Sequence, residues 1–302
     1  MRIDEIIGAS RPSVSFEVFP PKRQAAANEE EARLALERTR EIVGTLARER
    51  PSFISVTYGA AGGATGSATL EIARCVEGHG VPALAHLTCI LSSRDRILAE
   101  LETLREAGIE NILCLRGDYP PDWSASVASP GDFAHAVDLV RAVRPFGFCL
   151  GGACYPERHP ECDHLEDDIA HLKEKVEAGL DFLTTQMFFD NTVYFKYLSR
   201  LRSAGITIPV IAGIMPVTNG RQIARICKLS GTVLPPRFLS IVDRYGDDPP
   251  SMMDAGVAYA TEQIVDLLAN GVNAVHVYTM NRPETAARIM RNLGGIVHAG
   301  RS

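Results

Sequence analysis

Eight short apolar runs recur along this chain, and each is followed by a segment of helical period. The runs lie at 13–19 (SVSFEVF), 52–57 (SFISVT), 82–87 (PALAHL), 110–115 (ENILCL), 147–154 (GFCLGGAC), 181–186 (DFLTTQ), 208–212 (IPVIA) and 273–278 (NAVHVY). Helical patterns fall near 28–48, 66–79, 93–107, 131–144, 165–178, 191–204, 219–229, 254–270 and 283–292, with room for short helices in 235–245. In 93–107, Ile97, Leu98, Leu101 and Leu104 form one apolar stripe and Gly108 follows as a stop signal. Strands alternating with helices from end to end imply a parallel sheet with crossover helices. An open doubly wound sheet and a closed barrel both satisfy that pattern. The count of eight, the lack of a G-x-G-x-x-G turn and the absence of a linker-like break favour a (β/α)8 TIM barrel, one domain spanning 1–302.

The remaining classes are narrowed by charge and composition. A net charge of −6 argues against a broad nucleic-acid footprint. No segment approaches the roughly 18 uncharged apolar residues of a membrane span. The opening MRIDEIIGASRPSVSF has acids where a signal peptide would have its apolar run. Seven scattered cysteines without a C-x-x-C pair suit reduced thiols, so a cytoplasmic protein is expected. His159, Cys162 and His164 lack zinc-site spacing, and no metal is expected.

A barrel gathers its chemistry at the C-terminal ends of its strands, and those ends are rich in polar residues here. Strand one ends near Glu17, strand two at Thr57 and Tyr58, and strand three at His86 and Thr88. Strand four runs into LRGDYPPD, strand five into ACYPERHPE, strand six ends at Gln186, strand seven at GIMPVTN, and strand eight at Tyr278 with Asn281 and Arg282 beyond. Alternation along SVSFEVF sets Val14, Phe16 and Val18 on one face and Ser15, Glu17 and Phe19 on the other. Glu17 would then face the lumen near the mouth. A free glutamic acid ionises near pH 4.3, and apolar surroundings raise that value toward the range of a general acid.

In order along the chain, SFEVFPPK, ISVTYGA, AHLTC, LRGD, YPERHPE, TTQMFFD, GIMPVTN and YTMNRPE are together similar to methylenetetrahydrofolate reductases of the bacterial single-domain type. The resemblance covers essentially the whole chain. It implies an FAD-dependent oxidoreductase of one-carbon metabolism and methionine biosynthesis. NADH or NADPH would reduce the flavin, which would convert 5,10-methylene-tetrahydrofolate to 5-methyl-tetrahydrofolate. It also implies FAD contacts from Thr57, His86, Arg116, Gly117, Asp118, Tyr155, His159, Asp168 and Lys175. Asp118 would sit beside the isoalloxazine, and Glu17 would be the general acid that protonates N10 so that the bridging ring opens. Folate contacts would come from Gln186, Tyr278 and Arg282. Arg116, His159 and Lys175 suit a pyrophosphate, while Asp168 and Lys175 lie two turns apart on one helix face.

One position departs from the pattern. Bacterial members carry a phenylalanine after PV(S/T)N that stacks on both substrates, whereas this chain has Gly220 there. Weak nicotinamide affinity is expected, and a redox partner protein becomes an alternative electron source. Rival readings are another flavin barrel, a non-catalytic flavin- or folate-binding subunit, and a barrel without cofactor. Self-association is common in the family, so a homo-oligomer is possible here.

Overall fold

The computed structural model describes residues 1–9, 11–21, 28–58, 66–119 and 131–297. Eight parallel strands close on themselves in the order β1-β2-β3-β4-β5-β6-β7-β8. They are β1 (Ser13–Val18), β2 (Ile54–Val56), β3 (Ala83–Thr88), β4 (Asn111–Leu115), β5 (Cys149–Cys154), β6 (Phe182–Thr185), β7 (Val210–Ile214) and β8 (Ala274–Tyr278). Every expected strand is present, and the barrel expectation holds.

The helices are α1 (Ile3–Ile7), α2 (Glu29–Arg48), α3 (Gly66–Gly78), α4 (Arg94–Glu106), α5 (Ala136–Val143), α6 (Leu165–Glu177) and α7 (Asn191–Ser203). They continue with α8 (Gly220–Ser230), α9 (Pro236–Tyr245), α10 (Pro249–Ala269) and α11 (Pro283–Val297). Three boundaries differ from the periodicity. Helix α5 begins at 136, not 131, because Gly131 (φ +81°) and Asp132 turn against Ser92, whose carbonyl accepts the Asp132 N–H. Helix α10 begins at 249, five residues early. Asp248 caps it by accepting the Ser251 N–H, and the following prolines occupy the first turn, where no amide donor is missed. Helix α11 runs on through Gly294 and Gly295 to Val297.

Strand alternation sorts side chains into two cores. Val14, Phe16, Val18, Ile54, Leu183 and Val275 face outward and join the large cluster under the helices. Inward, the lower barrel is apolar. Phe53, Leu84, Leu113, Cys149, Phe182 and Ile211 pack there with Ile3 and Ile7 of α1. Helix α1 is therefore a plug across the N-terminal end. It is held by Asn111 Oδ1, which accepts the Ile3 N–H, and by Arg2, whose guanidinium reaches Asp4 and Asp181. Above this layer the inward residues turn polar, and the upper half of the lumen is open.

Candidate active site at the barrel mouth

Glu17 ends up where the alternation puts it. Its pleat neighbours on β8 and β2 are Tyr278 and Ser55, and its side chain lines a mouth cavity of about 510 Å³. Only 7 % of the residue is exposed. Among the described residues no arginine or lysine reaches the carboxyl group, whose nearest charged-type neighbour is His86 Nε2 at 3.9 Å. Burial without a cation penalises the carboxylate and pushes the Glu17 pKa up to about 8. The same burial pushes His86 down to about 3, so at neutral pH a protonated acid faces a neutral imidazole. The contact is not an ion pair. Among the described residues His86 Nε2 has no hydrogen-bond partner, and an orphaned buried nitrogen costs about 1–3 kcal/mol. Thr184 Oγ1, in the same cavity wall, is buried and has no partner among the described residues either. Two such atoms beside a cavity mark groups that a ligand or water would satisfy.

Beneath Glu17 lies a polar bridge absent from the sequence-based site. Ser15 Oγ donates to the Val275 carbonyl (3.1 Å), so it must accept from His276 Nδ1 (2.7 Å). His276 Nε2 is then the acceptor for Ser55 Oγ (3.0 Å). The ring is fixed as the Nδ1–H tautomer and its pKa falls to about 3 by burial, with His86 adding repulsion. Alternation along NAVHVY, with His276 two residues before Tyr278, carried the signal for this residue.

The remaining mouth residues come from several strands. Thr57, Asp118, Tyr155, Gln186 and Tyr278 all line the cavity. Gln186 turns its Oε1 back to the Met187 N–H (2.9 Å), and its NH₂ makes no hydrogen bond among the described residues. The Tyr278 hydroxyl donates to the Thr185 carbonyl (2.6 Å), so the ring, not the hydroxyl, faces the mouth. Arg282 is not brought to either cavity. It lies just before α11, with its N–H on the Thr279 carbonyl.

A second cavity of about 420 Å³ adjoins the first, sharing Leu115, Ala153 and Tyr155 as common wall. It contains Arg116, His159, Asp168 and Lys175, so the structure does assemble these four residues from β4, β5 and α6. Arg116 makes a two-pronged pair with Glu161 (2.5 and 2.7 Å), which raises its pKa. Lys175 Nζ donates to the Ala153 carbonyl (2.9 Å), and burial lowers its pKa. Asp168 accepts the His159 N–H (3.1 Å), while Tyr155 meets the His159 ring edge-on at 4.6 Å. Gly117 has φ +86°, and a Cβ there would lie 3.1 Å from Thr88 Cβ, so the turn after β4 demands glycine. The GAAGGATGSAT loop lies largely outside the described residues.

The closed parallel barrel, with two adjoining cavities at the C-terminal ends of its strands, places the chain among TIM-barrel proteins. Its family is more specific. The family model described as "Methylenetetrahydrofolate reductase" matches residues 2–294, and the chain belongs to that family. It is 33% identical over 285 residues to the 5,10-methylenetetrahydrofolate reductase of Pectobacterium carotovorum, covering 94% of this chain and 91% of that protein. The Escherichia coli K12 protein of the same name is 33% identical over 284 residues, covering 93% and 90%. Methylenetetrahydrofolate reductase (NADH) 1 of Zea mays is 35% identical over 313 residues, covering 97% of this chain. The chain spans about half the length of that plant protein and of similar curated relatives. Among solved structures, a Clostridium thermocellum protein that binds two copies of 5-methyl-5,6,7,8-tetrahydrofolic acid shares the fold. Its TM-score is 0.65 at 13% identity, covering 97% of this chain and 99% of that one.

Proposed function

We propose that this chain reduces 5,10-methylene-tetrahydrofolate to 5-methyl-tetrahydrofolate, with FAD in the cation-bearing cleft and NADH or NADPH as reductant. One observation carries this reading: Glu17 is a carboxylic acid kept protonated by burial, without a cation, at the mouth of a ligand-sized cavity. A methylene bridge between N5 and N10 opens only when N10 gains a proton, leaving an electrophilic iminium at N5. An acid with a pKa near 8 holds that proton at neutral pH, whereas an ordinary glutamic acid would have lost it.

The second cavity fits the cofactor. Arg116 and Lys175 supply charge and donors for a pyrophosphate, His159 and Asp168 supply further polar contacts, and the shared Tyr155 wall joins that cleft to the mouth. When bound, FAD supplies the two-electron relay between nicotinamide and folate. The chain's own residues do the rest. Glu17 delivers the proton to N10, and Gln186 offers its amide to the pterin edge. Asp118 stands at the cavity rim near Tyr155 and Arg116, where its charge bears on whatever ring lies there. Sharing of one mouth by both substrates implies that they bind in turn. The folate-bound Clostridium neighbour supports a pterin-sized occupant for this fold.

Glu17→Gln keeps the shape and removes the acid. In anaerobic stopped-flow experiments it should abolish oxidation of reduced flavin by methylene-tetrahydrofolate while leaving flavin reduction by the nicotinamide nearly intact. Equal loss of both half-reactions would remove Glu17 from the acid role.

A further inference from the structure

Gly220 opens α8, and its surroundings leave no space for a side chain. A Cβ built there would lie 2.5 Å from Gly246 Cα and 3.0 Å from the Gly246 carbonyl oxygen, backbone against backbone. No ring can stand over the mouth from this position without moving the turn after α9. Two other apolar side chains stand out on the cavity wall. Leu229, in the last turn of α8, lines the cavity while 70% exposed. Met280, just past β8, lines it while 44% exposed.

Met280 (φ +53°) and Asn281 (φ +55°) both adopt the left-handed conformation, uncommon outside glycine. Asn281 fixes that turn by accepting the Phe19 N–H (2.8 Å) and donating to the Phe19 carbonyl (2.9 Å). Backbone strain that neighbours over-determine is concentrated at ligand clamps. Leu229 adds little to the core at that exposure, so its place on the wall is not explained by stability. Met187, Met215 and Ile226 continue the same surface inward, giving a soft, thioether-rich lining that adapts to flat ligands.

We infer that Leu229 and Met280 are the jaws that grip the flat reduced ring entering the mouth, a dihydronicotinamide or a tetrahydropterin. They supply by aliphatic and thioether contact what a stacked aromatic ring would supply. The inference rests on the folate-reductase reading and adds the residues that set ring affinity.

The test uses the FAD-loaded protein with Leu229→Ser, Met280→Ser and, as control, Val233→Ser. Val233 is 65% exposed and lies outside the cavity lining. Stopped-flow saturation curves for NADH, NADPH and methylene-tetrahydrofolate give each half-reaction's apparent dissociation constant and limiting rate. Calorimetry with 5-methyl-tetrahydrofolate gives binding without turnover. Each jaw variant should weaken at least one ring class by about tenfold, as loss of a small apolar contact does, with a smaller change in the limiting rate. A change confined to the nicotinamide curves assigns the jaws to that ring, and one confined to the folate measurements assigns them to the pterin. The control should match the parent. Unchanged constants in both jaw variants, with an active parent, would overturn the inference alone. A parent that neither accepts hydride nor binds folate would overturn the function as well.

Discussion

At the residue scale, Glu17 couples chemistry to stability. Its folded pKa of about 8 lies above the ordinary carboxyl value. The folded protein therefore keeps a proton that the unfolded chain has lost between roughly pH 4.5 and 8. Stability falls as pH rises through that window and levels off above it. His86 and His276 act in the other direction. Their folded pKa values near 3 mean that the unfolded chain takes up protons first, so stability falls as pH drops below about 6.5. Glu17→Gln removes only the first effect. The melting temperature of the variant relative to its parent should climb from pH 5 to pH 8 and then plateau, which scanning calorimetry across that range reads directly. Folate reduction should decline above about pH 8 as the acid ionises, while flavin reduction should not share that limb.

The element scale separates what the sequence made legible from what it hid. Continuous apolar runs mark strands buried on both faces, which is why all eight strands could be read. Period-two alternation then aimed Glu17 correctly from one strand alone. Helix α1 escaped because five residues give a single turn, too short for a period to show. Its value lies in Ile3 and Ile7, which find partners on six strands far along the chain. The start of α10 was hidden because Pro-Pro looks like a breaker unless the Asp248 cap before it is weighed. The pairing of Arg116 with Glu161 spans 45 residues and leaves no local trace. Plug and mouth lie at opposite ends of the barrel. Ile3→Ala, at a fully buried position, should cost about 2–5 kcal/mol in urea denaturation. Binding of 5-methyl-tetrahydrofolate by the folded variant should be unchanged.

For the whole molecule, ligand binding should register as global stability. A ligand that binds only the folded barrel adds about 4 kcal/mol at a thousandfold excess over its dissociation constant. FAD should therefore raise the melting temperature of protein stripped of flavin, and Arg116→Ala should shrink that rise far more than it shifts the unliganded value. Equal shifts in both proteins would take Arg116 out of the cofactor cleft. The seam of the barrel carries a different consequence. Strand β1 is flanked by β8 as well as β2, Thr279 Oγ1 donates to the Glu17 carbonyl (2.6 Å), and Asn281 clasps Phe19 on both sides. His276 fastens Ser15 and Ser55 from the same late strand. During synthesis, then, the acid is made with β1 yet has no shielded environment until β8 has followed. A nascent chain stalled before β8 would carry an ordinary, ionised glutamate, and proton-donating capacity would be conferred by the arrival of that strand.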